Sequence, residues 1–517
     1  TRRSADLTKN PVEKPLHDAL IVSKNTISNV EFYLTNFGII FHPVTINAGG
    51  CLFPMGSGNQ YIFAGGAWFG LKKYNPKIQE TDLMVEITLN PNNGKSWMVP
   101  GRIEDGEDML YDQQSINNYI IYNSSDFNPD GTSLISGKYN NWPLWITESS
   151  GKLGEYVKDP EERNLEKYPM GPAFFSDEAF FFTFKDTDLN DYDGGAFLRR
   201  EMGYPLFMQY EARVLSWQEY PYSDMAVVVY DIINMSEEDA LDCWFGFLID
   251  PDICKTSQLQ AGATNDRIRY LGEIDSINTA IAWTEYTEGE DTTFRYLSLS
   301  LIQTPSVDED RYVDQKTINY YTDNQIGAAT FRNWEISHDI TNDESRYNLL
   351  SSGVKDGDEG AGDIRGMLAS GPFNLRRGDR VRFALLVSFA SPYGHAPYRY
   401  DGFSDLDSIA VQVVRGKEKY YENQITGVYE NAHEDFYFDV YPNPANETAE
   451  IRFENTNSKI ESIKIYNLTG ELVYSLSSLK DSIVSGMKIS LKNFPAGIYS
   501  VVVKTESGMF TKKLLVI

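Results

Sequence analysis

Five hundred and seventeen residues exceed what one ordinary hydrophobic core organises, so several domains, or one large sheet-built body with appendages, are expected. Hydrophobic residues make up 41% of the chain, yet no apolar run approaches the ~20 residues of a membrane-spanning helix. Lys and Arg number 46 against 74 Asp and Glu, and the resulting charge of -28 repels nucleic acid and anionic lipid while favouring solubility or divalent cations.

Residues 1–28 hold little beyond the apolar cluster Leu20, Ile21 and Val22, which reads as an extended arm and a candidate interface for a neighbouring subunit. The first fifteen residues lack the charged-then-apolar pattern of a signal peptide, so the chain reads as a mature form. From Val30 onward, short apolar or alternating runs recur between turn residues, among them VEFYLTNFGIIF (30–41), QYIFAGGAWFGL (60–71), AFFFTF (179–184), AVVVYDIINM (226–235) and RVRFALLVSFA (380–390). With 33 Tyr and 28 Phe available for pleated surfaces, these runs predict an all-β chain with minor helix. The body, residues 29–425, is expected to be a large β-sandwich, with a subdomain boundary near residue 205 as one option.

Two stretches read as helices. Asp159 and Pro160 suit the start of one over 159–168, and Leu406, Ile409, Ala410, Val413 and Val414 form one face of another over 404–421. Cys243 and Cys254 are placed to pair in an oxidising compartment. A polar linker follows at 426–435. Beyond it, residues 436–517 read as six short strands of a small immunoglobulin-like β-sandwich.

Ordered motifs mark that terminal unit: Tyr441-Pro442-Asn443-Pro444 at its entry, Ile465-Tyr466-Asn467 with Gly470 in the middle, and Pro495-Ala496-Gly497-Ile498-Tyr499 before the penultimate strand. It resembles the type A C-terminal sorting domain of the type IX secretion system of Bacteroidetes. The resemblance implies export by that machinery to the outer surface or beyond. The body, in segments such as Phe63–Gly70, Tyr230–Asn234, Asp250–Asp252 and Gly371–Leu375, is similar to large secreted proteins of the same bacterial groups, a resemblance that brings architecture and no chemistry.

The five histidines form no ligand or base motif, and neither a GxSxG elbow nor a GxxxxGK loop occurs, so no catalytic residue is assigned. The acid-rich stretch Asp186, Asp188, Asn190, Asp191 and Asp193 is a candidate calcium site, because alternating carboxylates and amides at a turn place hard oxygens around one point. It departs from an EF-hand, with Asp191 where Gly is expected and Phe197 where the bidentate Glu belongs. A second acidic loop, Asp356 to Asp363, is weaker, and Asp250 and Asp252 add ligands only if folding brings the loops together. Two functional readings follow. One is a non-enzymatic surface protein, structural or adhesive, whose subunits self-associate by strand pairing into a filament or sheath. The other is a protein that binds or hydrolyses surface polysaccharide, with Trp142, Trp145 and Trp217 as the aromatics to inspect.

Overall fold

The computed structural model describes residues 20–516 except 44–49, 76–78, 92–95, 104–119, 137–138, 148–153, 188–202, 259–263, 273–276, 285–295, 320, 323, 391–405, 425–436, 444, 455–459, 468–471, 478–485, 496 and 506–507. The chain divides into two compact units, Thr1–Thr426 and Gly427–Ile517.

The body opens with β1 (Val22–Lys24), β2 (Glu31–Thr35), β3 (Cys51–Leu52), β4 (Asn59–Asn75) and β5 (Glu80–Ile87). Next come β6 (Val99–Pro100), β7 (Tyr122–Asn123), β8 (Leu144–Ile146), β9 (Gly154–Tyr156) and β10 (Glu178–Lys185). The central strands are β11 (Met208–Ser216), β12 (Met225–Asn234), β13 (Ala240–Lys255), β14 (Asp266–Tyr270), β15 (Thr279–Thr284) and β16 (Tyr296–Gln303). The unit closes with β17 (Thr330–Glu335), helix α1 (Asp343–Leu350), β18 (Ile364–Leu375), β19 (Arg380–Ala390) and helix α2 (Leu406–Gln424).

Two large antiparallel sheets result. One runs β1-β2-β3-β4-β13-β18-β17, with β5 also paired to β4; the other runs β14-β15-β16-β19-β12-β11-β10-β6, with β7 paired to β10. The sheets face each other across the main core, where Phe245 on β13 stacks on Phe383 on β19 with ring centroids 4.2 Å apart. Among the described residues a boundary near residue 205 does not appear: β10 and β11 lie on either side of it and pair from Glu178 with Ser216 to Lys185 with Gln209.

Both sheets are covered on their outer faces as well. On β12, Ala226, Val228, Tyr230 and Ile232 enter the main core, whereas Met225, Val227 and Val229 enter a second core closed by Ile409, Val413 and Tyr420 of α2 and by Trp142 and Phe175. On the other sheet, Trp68, Val85, Leu248 and Met367 meet Tyr347 and Leu350 of α1. Burial on both faces is why these strands read as unbroken apolar runs.

Helix α2 lies where the apolar spacing predicts it. The stretch 159–168 instead forms only a 3-10 turn, Pro160–Glu162, with Asp159 Oδ1 accepting from the Glu161 N–H at 2.9 Å. Its one apolar side chain, Leu165, is exposed, so a helix there would have no face to bury. Helix α1 escapes sequence reading because only its last turn is apolar; Asn342 caps it by accepting from the Ser345 N–H at 2.8 Å. Cys243 and Cys254 do not pair, and all three cysteines are buried and free. Both belong to β13, where eleven residues of extended chain separate them by roughly 35 Å, far beyond disulfide reach.

The terminal unit comprises β20 (Tyr437–Tyr441), β21 (Thr448–Glu454), β22 (Ile460–Asn467), β23 (Leu472–Ser477), β24 (Gly486–Ser490), β25 (Gly497–Thr505) and β26 (Gly508–Val516). Sheets β20-β21-β24 and β23-β22-β25-β26 enclose a core of Phe438, Ile451, Ile463, Ile465, Val501, Val503 and Leu514, an immunoglobulin-like sandwich. Its first strand, β20, is the one that sequence reading did not separate from the entry motif.

Candidate functional site

Strand β13 carries an irregularity at Pro251, where its register against β4 shifts on both sides of the proline. Such a bulge re-aims side chains. Here the carboxylates of Asp250 and Asp252 meet that of Asp363, at the threshold of β18, with one oxygen from each within 4.8 Å of the others. Asp250 is 8% exposed and Asp266, the first residue of β14, is fully buried.

Arg365 is the guanidinium set against this group. It lies 3.4 Å from Asp250 Oδ2, but it is shared with Asp339 and with the Pro91 carbonyl at 3.3 Å. Asp250 Oδ1 and Asp266 Oδ1 are buried without a hydrogen-bond partner, while Asp266 Oδ2 accepts from the Ile253 N–H at 3.1 Å. Burial pushes the Asp250 carboxyl up to about 7 against the pull of Arg365. Burial, reinforced by Asp250 and Asp363, pushes Asp252 up to about 8. Asp363 and Asp266 are also held above the usual carboxylate range, burial again leading. Crowded hard oxygens with too little positive charge can take up protons or a cation.

Sequence reading named parts of this group without assembling it. Of the weaker acidic loop, only Asp363 joins the cluster: Asp356 pairs with Arg332 and Asp358 with Arg267, each at 2.8 Å. In the stronger calcium candidate, Asp186 is fully buried and its carboxylate accepts from the backbone N–H groups of Leu206, Phe207 and Met208 at 2.6, 3.1 and 3.0 Å, fixing the start of β11. Asp188, Asn190, Asp191 and Asp193 lie outside the described residues. Pro251 beside two aspartates was the available signal for the observed group, but a bulge that gathers residues 250, 252 and 363 is a tertiary event.

The other expected sites are placed as follows. Val22 is in β1, which pairs with β2; Ile21 donates its N–H to Asn36 Oδ1 at 2.9 Å and packs on the main core, and Leu20 packs beside Phe37 and Val99. Val22 therefore belongs to the chain's own sheet, and Leu20 and Ile21 pack on its cores rather than forming a free arm, because their apolar side chains find a core within reach; residues 1–19 lie outside the described set. Trp142, Trp145 and Trp217 are 0%, 1% and 2% exposed, with the indole of Trp142 donating to the Ala173 carbonyl and that of Trp145 to the Trp142 carbonyl. Trp142 and Trp217 belong to the core over the outer face of a sheet, and all three are too buried to meet a sugar. A surface depression of about 310 Å³ lies between β17 and α1, with Arg332, Trp334, His338 and Asn348 among its lining.

In the terminal unit, Tyr441 ends β20 with its ring exposed under the Arg452 guanidinium, 4.9 Å from the centroid. Tyr499 is buried and donates its hydroxyl to the Pro495 carbonyl at 2.7 Å, a tie that fixes the turn entering β25 at Gly497. Pro442 and Asn443 follow in the turn after β20; Pro444 and Gly470 lie outside the described residues.

No curated protein matches the sequence significantly. Among solved structures, a polysaccharide lyase is similar at 10% identity over 60% of this chain and 34% of its own, with a TM-score of 0.18. Dimeric latent PorU from Porphyromonas gingivalis is similar at 14% identity over 66% and 32%, with a TM-score of 0.14. The BSP domain of a biofilm associated protein is similar at 10% identity over 96% and 81%, also at 0.14. The chain spans about a third of the length of the first two, and overlaps at these TM-scores carry no argument about the body. The tail is different: residues 439–517 match the Secretion system C-terminal sorting domain family, so the chain ends in a type IX sorting domain, which directs export to the cell surface or the extracellular medium.

Proposed function

We propose that this chain is a structural or adhesive protein of the cell surface, delivered by the type IX machinery and acting through its outer surface and by self-association. The observation that carries this reading is the placement of the body's aromatic side chains. Rings that would serve a sugar-binding face, Trp142, Trp145 and Trp217 among them, are buried, Trp142 and Trp217 over the outer face of a sheet, and the two sheets are buried on both sides. A layered body of that kind resists deformation, which suits a surface element. Assembly by strand pairing would act at β1, the terminal strand of its sheet.

The test is direct imaging of the exported protein by negative-stain electron microscopy, with intact cells labelled for the body and compared with a strain lacking it. Regular polymers, or lost cell–cell or cell–surface attachment in the deletion strain, are expected. Monomeric protein together with unchanged attachment would overturn the reading. The depression walled by Trp334 favours one alternative, a glycan-binding protein. Polysaccharide retention that is abolished by Trp334→Ala, with folding intact, would establish that alternative instead.

A further inference from the structure

We propose that Asp250, Asp252 and Asp363, with the side-chain oxygen of Gln60, form a calcium site that pins the end of β13 to the threshold of β18. Geometry is the first support. Oxygens bound to one Ca²⁺ at about 2.3–2.6 Å lie at most about 4.6–5.2 Å apart. One oxygen from each of the three aspartates falls within 4.8 Å of the others, so a single ion can touch all three.

Gln60 supplies an independent observation. It is fully buried on β4, its Nε2 donates to Asp252 Oδ2 at 3.5 Å, and its Oε1 is buried with no partner. A half-turn of the amide exchanges the two atoms. The carbonyl oxygen then faces Asp252 and joins the ligand set. Asp250 Oδ1 is also buried and unpartnered, a second acceptor in the cluster left without a donor. Fully buried Asp266, with its own orphaned Oδ1, accepts from the Ile253 N–H next to Asp252 and so lies against the same group.

The ligand chemistry selects the ion. Carboxylate and amide oxygens without nitrogen or sulfur suit a hard cation, and an irregular set drawn from β4, the β13 bulge and the β18 threshold suits Ca²⁺ better than octahedral Mg²⁺. Arg365 does not replace the ion, because the same guanidinium also serves Asp339 and the Pro91 carbonyl.

The experiment is isothermal titration calorimetry of the full chain, stripped with chelator, against CaCl₂ and separately MgCl₂, with the melting temperature followed in parallel. One equivalent of Ca²⁺ is expected to bind in preference to Mg²⁺ and to raise the melting temperature. Asp363→Asn, the more exposed position, and Asp252→Asn are each expected to weaken binding at least tenfold while retaining the wild-type far-ultraviolet circular dichroism. Asp191→Asn with Asp193→Asn, in the other acidic stretch, should leave this binding unchanged. Absence of calcium binding by the wild-type chain overturns the proposal. Binding that Asp252→Asn and Asp363→Asn both leave intact, or that only the 191 and 193 changes remove, also overturns it.

Discussion

Asp231 shows what a single buried charge does in this body. It sits 3% exposed on the outer face of β12, with Arg382 Nε at 2.6 Å from Oδ1 and both Arg213 and Arg382 Nη2 atoms at 2.9 Å from Oδ2. Burial alone would raise its carboxyl, but Arg382, Arg213 and Arg380 outweigh burial and hold it well below the usual range. A carboxylate depressed on folding contributes stability that is present above its unfolded value near 3.9 and is lost as pH falls toward the folded value. Urea midpoints measured from pH 5 down to pH 2 should therefore fall, and Asp231→Asn should flatten that acid limb. At neutral pH the same change strands two guanidinium groups, a loss of roughly 3–5 kcal/mol. Gly371 makes a second residue-scale case. Its φ is +153°, and a Cβ there would lie 2.8 Å from the Cys243 carbonyl oxygen and 2.7 Å from the Trp244 ring. Gly371→Ala should lower stability by about 1–3 kcal/mol in chemical denaturation.

At the level of elements, the segment 354–362 decides how the sandwich ends. It pairs with β17 through the Phe331 N–H to Val354 carbonyl and Asp356 N–H to Phe331 carbonyl bonds, both 2.9 Å. It then reaches the opposite sheet, where Asp266 and Gly362 exchange bonds of 3.2 and 2.9 Å and Tyr270 donates to the Asp356 carbonyl at 3.1 Å. The terminal strands of two sheets are thus covered by one stretch of chain, which removes two templates for unwanted pairing. Asp356 anchors it, since Oδ2 accepts from Arg332 Nε at 2.8 Å and from the Asn333 N–H at 3.0 Å. Asp356→Ala should cost about 1–3 kcal/mol, speed hydrogen exchange at Phe331 and Asn333, and increase aggregation. Unchanged exchange at those amides would mean that the anchor lies elsewhere. The segment's Gly and Asp content reads in sequence as a flexible acidic loop, because the partners that order it are more than twenty residues away for Arg332 and about ninety for Asp266.

For the whole molecule, the two units hold separate cores: Phe245 and Phe383 stack in one, while Ile463, Val501 and Leu514 meet in the other. Separate cores predict separate transitions. Removing residues 427–517 should leave the body's calorimetric transition within about 2 °C of its position in the full chain, since a ΔΔG of 1 kcal/mol moves a large domain by only a few degrees. The truncated chain should also stay inside the cell, read by fractionation, because the export signal is gone. A collapse of the body's transition on truncation would show that its core depends on the tail.

Local pattern was enough to establish the all-β class, helix α2, the separate terminal sandwich and its role in export, because turn residues, apolar spacing and the ordered motifs around Tyr441, Gly470 and Tyr499 are written into short stretches. Tertiary structure alone decided the rest. Whether Trp142 faces solvent or a sheet, whether Leu20 to Val22 are free or paired, and whether Asp250, Asp252 and Asp363 share a point all depend on which distant segments meet. Nothing within a few residues of any of them encodes that meeting; it follows from burying both faces of two sheets at once.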